Sequence, residues 1–334
     1  MPKIAIIGAT GYTGQELARL IQGHPEFEIC FVSSESYAGK SYREFDLSFP
    51  KIELKKSAEF DPEAVDLLFS CAPELQSSVW IKKALSAKKR VIDLSGNYRL
   101  KNLSDYKKWY AADHPDTDGL EQAVYGLPEL YREAIPAAQL IANPGCYPTS
   151  IILGLAPLRA LGLSIESLIA DSKSGVSGAG ASPKRETLYV SVADELRPYK
   201  PGSSHRHWPE VRQELGRQEL EPAAFTFVPQ VLPCERGILS NLYVALKGEW
   251  NLADVRKAYS DFAEKEYFFE LLEDGALAKL SDARHSNRCV VSLSRSDDLL
   301  LVTSVIDNLR KGAAGQALQN ANLLYGFEET TGLL

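Results

Sequence analysis

With 334 residues, 45% of them apolar and 24% charged, the chain has the make-up of a soluble globular protein long enough for two domains and a large core. Its net charge of −7 argues against a nucleic-acid binder, which would carry a basic face. No stretch has the apolar length of a membrane span, Met1–Ile7 is too short for a signal peptide, and the five cysteines show no close pair or metal spacing, so free thiols in a reducing cytoplasm are expected.

Residues 3–7 are almost wholly apolar, as in a buried parallel strand. They run into Gly8-Ala9-Thr10-Gly11-Tyr12-Thr13-Gly14 and then the helical pattern of residues 16–21. A glycine turn between strand and helix lets backbone N–H groups approach a pyrophosphate at the helix N-terminus. The spacing differs from the commoner G-x-G-x-x-G, so the flanking strand and helix carry the assignment. Gly8, Thr10, Gly11, Tyr12, Thr13 and Gly14 are the candidate cofactor contacts. The next strand, residues 28–32, ends in Ser33-Ser34-Glu35-Ser36. NAD sites usually place a carboxylate about 20 residues past the glycines. Ser34 and Ser36 suit a 2′-phosphate instead and point to NADP(H); Glu35 opposes that if it turns inward, and reads otherwise as a solvated loop charge.

Strands follow at 65–70 and 90–94. The first ends in Cys71-Ala72-Pro73, at the carboxyl edge where open α/β sheets bind ligands, which makes Pro73 a further cofactor candidate. The second leads to Arg99, either a surface cation or a clamp for a planar anion. Residues 101–138 are polar and poorly periodic and read as a long surface excursion ending in a compact turn at 125–130. His24 and His114, in polar loops, read as surface residues.

An apolar run at 139–142 enters Asn143-Pro144-Gly145-Cys146-Tyr147-Pro148-Thr149-Ser150. Pro144 and Gly145 force a sharp turn, and Pro148 suits the first turn of a helix expected to run through 151–162. Cys146 then falls near a helix N-terminus, where N–H groups and the dipole lower a thiol pKa; a lone cysteine is also common core filler. A strand at 167–172 leads into a second glycine-rich loop, Lys173–Gly180, placed to approach a ligand. Strands at 224–228, 239–246, 289–293 and 299–306, with a turn at 295–298, indicate a largely antiparallel sheet. Helical periodicity returns at 313–324.

The fold class is therefore α/β: a Rossmann-like NAD(P)-binding domain plus an α+β catalytic and dimerisation domain with a mostly antiparallel sheet. The first spans 1–145 and is completed by the C-terminal helix of about 312–334; the second spans 146–311. His205 and His207, two apart, share one side of an extended segment, with Arg206 on the other. Nothing completes a metal set around them, and the chemical reading is a general acid/base beside a thiolate. A nucleotide loop, then a cysteine, then a histidine suits redox chemistry at the acyl level. The thiolate captures an acyl group, hydride reduces the thioester to an aldehyde, a histidine moves the proton and backbone N–H groups hold the oxyanion.

Gly8–Gly14, Tyr125–Glu129, Asn143–Thr149, Ser172–Gly180, His205–Glu210 and Asp307–Gly315 together resemble the N-acetyl-γ-glutamyl-phosphate reductases (type 1) of the aspartate-semialdehyde dehydrogenase superfamily, over essentially the whole chain. The resemblance implies NADPH-dependent reduction of N-acetylglutamyl 5-phosphate to the 5-semialdehyde and phosphate, through a cysteine thioester, in arginine biosynthesis. It implies Cys146 as nucleophile and the His205/His207 pair as acid/base, with His207 preferred. It puts Gly11–Gly14 on the pyrophosphate and Asn308, with Ser174, Gly175 and Gly178, on the nicotinamide side. Asn143, Arg99, Arg236 and Glu210 become substrate candidates. The implied partner is a small-molecule acyl phosphate, with no nucleic acid or membrane, and the implied assembly a homodimer or homotetramer. Glu35 stands where the family often has a basic residue, and Gln230 where relatives often have histidine; both bear on cofactor and substrate contacts. Two rivals remain: the reductase of aminoadipyl phosphate on an acidic carrier protein, in lysine synthesis, and a non-catalytic NADP-binding regulator.

Overall fold

A computed structural model describes residues 1–49 and 51–334, without the side chain of Glu74. It contains two compact units, Met1–Pro144 with Ala313–Leu334, and Gly145–Gly312.

The first unit is built on β1 (Lys3–Ile7), β2 (Glu28–Val32), β3 (Leu67–Ser70), β4 (Arg90–Asp93), β5 (Val124–Tyr125) and β6 (Leu140–Ala142). Their order is β2-β1-β3-β4-β6-β5, and every pair is parallel. Ile4, Ile6, Leu67, Phe69, Val91 and Ile92 are fully buried, which is why these strands read as continuous apolar runs rather than alternating ones. The strand order reverses between β1 and β3, the kind of crevice where such sheets bind ligands. Helices α1 (Tyr12–Gln22) and α2 (Glu74–Ser86) follow β1 and β3.

The expected surface excursion at 101–138 is instead folded. It holds α3 (Leu103–Tyr110), α4 (Thr117–Gln122), strand β5 and α5 (Pro128–Tyr131), and it buries Tyr106, Leu120, Tyr125 and Leu127. Asn102 caps α3 by accepting the N–H groups of Ser104 and Asp105, and Asp116 caps α4 through Gly119. His24 is also not a surface residue: it is buried, stacks on Phe27 at 4.5 Å, and bonds Asn322 Oδ1 through Nε2 at 2.9 Å. His114 is half-buried, with Nε2 at 2.9 Å from the Asn97 carbonyl.

The second unit carries β7 (Ile165–Gly175), β8 (Arg197–Pro198), β9 (Ala224–Leu232), β10 (Ile238–Leu246), β11 (Phe269–Leu271), β12 (Cys289–Ser296) and β13 (Leu299–Ile306). They form a mixed, mostly antiparallel sheet in the order β11-β12-β13-β10-β7-β9-β8, parallel only at β11/β12 and β7/β9. Helix α6 (Cys146–Leu155) is buried at every position from Tyr147 onward, so apolar residues circle it. It starts at Cys146, with Gly145 as N-cap and Pro148 in its first turn as expected, but ends at Leu155, and a 3-10 stretch covers Ala156–Leu161 where the helix was expected to continue. Ser150 fixes it to the sheet by donating to Ser240 Oγ at 2.7 Å. The remaining helices here are α7 (Tyr189–Val192), α8 (His207–Arg217), α9 (Leu252–Ala263) and α10 (Leu280–Ala283). Lys173–Gly175 lies inside β7, not in a loop, and a short 3-10 turn at Val176–Ala179 follows.

The C-terminal helix α11 (Gly315–Tyr325) belongs to the first unit. There Asn320 Nδ2 donates to the Gly126 carbonyl at 2.8 Å and to Asn143 Oδ1 at 3.1 Å.

Candidate active site

In the first unit the glycine turn is shaped by close backbone contact. Gly8 has φ of +80°, and a Cβ there would lie 2.9 Å from the Cys71 carbonyl carbon. A Cβ on Gly14 would lie 2.4 Å from Gly8 O, so neither position accepts a side chain. Gly11 caps α1 with extended backbone, no side chain bonds the helix's first N–H groups, and its first turn has no acidic residue. Those donors suit an anion, and the cradle fits the pyrophosphate of a dinucleotide. The turn is tied down from outside: Ala9 N–H donates to Ser33 O at 2.9 Å, Tyr42 OH to Ala9 O at 2.8 Å, and Thr10 and Ser34 share a hydroxyl bond of 2.7 Å. Tyr12 is exposed and Thr13 half-buried.

At the end of β2, Ser34 is buried against Thr10 while Ser36 is exposed. The Glu35 carboxylate is turned onto Ser57, accepting its N–H at 3.0 Å, and lies 3.8 Å from Lys56 Nζ. The Ser57 hydrogen bonds, with Lys56 beside them, hold its carboxyl below the usual range. Pro73 is the exposed N-cap of α2, just past β3.

Two substrate candidates in this unit are committed to the chain itself. Arg99 is buried, with Nε donating to Asn143 O at 2.8 Å and a terminal nitrogen to Leu94 O at 2.9 Å. It joins the ends of β4 and β6. Asn143 is buried too, its N–H on Asp93 O at 2.8 Å and its Nδ2 on Ala313 O at 3.2 Å.

In the second unit Cys146 is the first residue of α6 and half-buried. No acid lies in that first turn, and the positive end of the helix dipole falls at this position. A Cβ on Gly312 would meet Cys146 Cβ at 2.9 Å, so glycine backbone packs directly on the thiol residue. Gly145 N–H donates to Glu210 Oε1 at 2.8 Å. Glu210 is 1% exposed in the first turn of α8, the helix that His207 opens. It therefore holds the turn before the cysteine rather than presenting a carboxylate outward, which revises its expected place among substrate contacts.

The two histidine rings lie 4.8 Å apart, both buried. The segment is not extended throughout, as the spacing suggests: His205 is extended at φ −93°, ψ 134°, Arg206 turns helical, and His207 begins α8. His205 Nδ1 accepts the His207 N–H at 3.1 Å. Burial, with Arg206 and Lys200 nearby, pushes the His205 imidazole down to about 3. His205 is thus a neutral acceptor at neutral pH. Tyr147 and Tyr199, which the motifs do not single out, pack on this pair; the position of Tyr147 directly after the cysteine is the sequence signal that could have found it.

Ser174, Gly175, Gly178 and Asn308 gather where β7 ends and β10 begins. A Cβ on Gly175 would lie 2.6 Å from Arg236 N, and one on Gly178 would lie 2.9 Å from Ser174 Oγ. Asn308 accepts Gly237 N–H at 2.7 Å and donates to Ser177 Oγ at 2.9 Å. Arg236 is buried and engages Asp307 with two nitrogens, each 2.9 Å from a carboxylate oxygen. Its charge is spent on that pair, so it is not an exposed anion clamp. Gln230 places its amide on Asp171. Among the described residues no group of His, Cys, Asp or Glu could hold a metal ion, and no helix is long and apolar enough to cross a membrane.

Residues 3–138 match the model of the semialdehyde dehydrogenase NAD binding domain, and residues 146–308 that of the semialdehyde dehydrogenase dimerisation domain. The chain is 43% identical over 343 residues to an N-acetyl-gamma-glutamyl-phosphate reductase from Geotalea daltonii, covering 100% of this chain and 98% of that one. A reductase of the same name from Clostridium novyi is 42% identical over 341 residues, again across 100% and 98%. Among solved structures, aspartate semialdehyde dehydrogenase II from Vibrio cholerae, complexed with ASA, superposes with a TM-score of 0.76 at 22% identity over 98% of each chain. The Candida albicans aspartate semialdehyde dehydrogenase with NADP gives 0.71 at 18% identity, over 97% of this chain and 99% of that one.

Proposed function

Because the chain belongs to the N-acetyl-γ-glutamyl-phosphate reductase family of semialdehyde dehydrogenases, we propose that it reduces N-acetyl-L-glutamyl 5-phosphate to the 5-semialdehyde and phosphate, with NADPH, in arginine biosynthesis. It is an oxidoreductase of the aldehyde level with a nicotinamide cofactor. The first unit serves as the cofactor unit, with Gly8 to Gly14 on the pyrophosphate and Pro73 beside it. The second is the catalytic unit, with Ser174, Gly175, Gly178 and Asn308 on the nicotinamide side.

The Cys146 sulfur attacks the acyl carbon as a thiolate, the carbon–oxygen bond to phosphate breaks, and a thioester forms on the enzyme. When bound, a reduced nicotinamide would supply the hydride at this carbon; the carbon–sulfur bond then breaks, releasing the aldehyde and returning Cys146 as a thiolate. N–H groups at the start of α6 stabilise first the sulfur anion and then the oxyanion. His207 is the acid/base: His205 already spends Nδ1 on the His207 N–H and is kept neutral by burial, which leaves the proton transfers to its neighbour. The observation that carries the reading is the Gly145 N–H bond to Glu210, which joins the cysteine's turn to the helix of His207.

NADPH in place of NADH is supported by Glu35, whose carboxylate is occupied by Ser57 and Lys56 instead of awaiting a ribose hydroxyl. The dimerisation-domain match supports self-association, as a homodimer or homotetramer, and a biosynthetic role fits the cytoplasm. The glutamyl chain length follows the names of the relatives; the aminoadipyl reductase would need a surface for an acidic carrier, which a net charge of −7 disfavours.

The test uses acyl phosphate and intact-mass detection. Wild-type chain should acquire an acyl group and turn over with NADPH, while Cys146→Ser should take no label, reduce nothing and still bind NADPH. Substantial turnover by Cys146→Ser removes the thioester route, and an unlabelled, inactive wild type favours a non-catalytic regulator.

A further inference from the structure

We propose that Tyr147 is a positioning residue that fixes the orientation of the His205–His207 pair through a chain of hydroxyl hydrogen bonds. The proposal rests on Cys146 and His207 being the reacting groups.

Tyr147 is 2% exposed and sits second in α6, directly after Cys146. Its hydroxyl accepts from Tyr199 OH at 3.2 Å and donates to the Gln230 carbonyl at 3.1 Å. A phenol has one proton to give, so that donor is committed to β9. Held at its tip and rooted at its Cα in α6, the ring has little freedom to swing.

That fixed ring meets both imidazoles. Its centroid is 5.8 Å from His205 at an interplanar angle of 86°, and 6.1 Å from His207 at 63°. Edge-to-face contacts of this kind are directional, so they select ring orientation as well as filling space. Tyr199 adds a second edge on His205 at 5.5 Å, and Phe227 a third at 5.2 Å and 90°. His205, braced on three sides, in turn receives the His207 N–H on Nδ1. The order of support runs from Tyr199 and Gln230 to Tyr147, then to His205, then to His207. Burial raises the Tyr147 phenol well above its ordinary value, so it stays protonated and acts by shape and hydrogen bonding, not as an acid.

Tyr147→Phe keeps the ring and deletes both hydroxyl bonds; Tyr199→Phe deletes only the donor feeding them. Each full-length variant is assayed with N-acetylglutamyl phosphate and NADPH for kcat, KM, the pH–kcat profile and Tm. Tyr147→Phe should lower kcat about tenfold, a loss of about 1.4 kcal/mol, leave both KM values within about twofold, and displace the imidazole limb of the pH profile. Tyr199→Phe should move kcat and that limb the same way by a smaller factor. A Tyr147→Phe chain with wild-type kcat and limb overturns the role, including when its Tm falls, since that is what simple packing produces. Should Tyr147→Phe not fold, Tyr199→Phe decides by the same criterion. An inactive wild type sinks the reaction reading and this role together, whereas an active wild type with an indifferent Tyr147→Phe sinks the role alone.

Discussion

Glu210 Oε1 accepts the Gly145 N–H at 2.8 Å, with the carboxylate 1% exposed. A charged acceptor on a buried amide makes one of the stronger hydrogen bonds in a protein, and here its two ends belong to the cysteine's turn and the histidine's helix. Glu210→Ala leaves that amide unsatisfied at a cost of about 1–3 kcal/mol. We expect kcat to fall by about one to two orders of magnitude, with Glu210→Gln falling less because it keeps an acceptor. Single-turnover acylation of Cys146 reads this directly, and equal acylation rates in all three chains refute the link.

Gly14→Ala tests the nucleotide turn. The added Cβ would sit 2.4 Å from Gly8 O and 2.8 Å from Ala9 Cα, both backbone atoms that cannot rotate away. Fluorescence titration with NADPH should show affinity weakened by more than about tenfold, a loss of about 1.4 kcal/mol. Unchanged affinity would mean that the turn does not hold the cofactor.

His205 gives a pH signature. Its folded value of about 3 lies below the ordinary 6.5, so the unfolded chain binds the extra proton first as pH falls. The stability it contributes is present above 6.5 and drains away between 6.5 and about 3. Carboxylates titrate over part of that range, so the quantity to measure is the difference between wild type and His205→Asn in urea midpoints. The variant should show the flatter decline from pH 7 to about 5, and parallel curves would contradict a depressed imidazole.

Arg236 and Asp307 should report as a structural pair. The side chains are 5% and 0% exposed, and Asp307 also accepts the N–H groups of His285, Leu309 and Arg310. Arg236→Ala strands a buried carboxylate, and urea denaturation should show a loss of about 3–5 kcal/mol. A substrate clamp would instead raise KM at nearly constant stability.

How far the sequence carried depends on the distance over which each feature is decided. Five of the six parallel strands were legible as short, largely apolar runs; β5, only two residues long, was not. Cys146 and the histidine pair were legible as motifs. The region from Leu103 to Tyr131 was not, because helices of eight, six and four residues are too short to show a period and take their ends from Asn102 and Asp116. His24 looked exposed because its partner, Asn322, lies 298 positions away. Arg99 and Arg236 looked like free cations for the same reason: a guanidinium's partners are set by tertiary structure, here Asn143 and Asp307. Local chemistry can be read from a chain; whether a charge is already spoken for cannot.

The last helix carries a consequence for how the protein is made. Asn320 serves Gly126 and Asn143, Asn322 serves His24, and Arg90 bonds the Leu324 carbonyl, so the first unit waits on residues near the end of the chain. Gly145–Gly312 is translated in between, which at about 5–20 residues per second takes about 8–34 s. Throughout that interval the nascent nucleotide unit has its strands but not its closing helix, whereas the inserted unit has every residue it uses as soon as the interval ends. The half of the enzyme that leaves the ribosome first is therefore the half that finishes folding last, and that is when it is most exposed to misassembly and to chaperones.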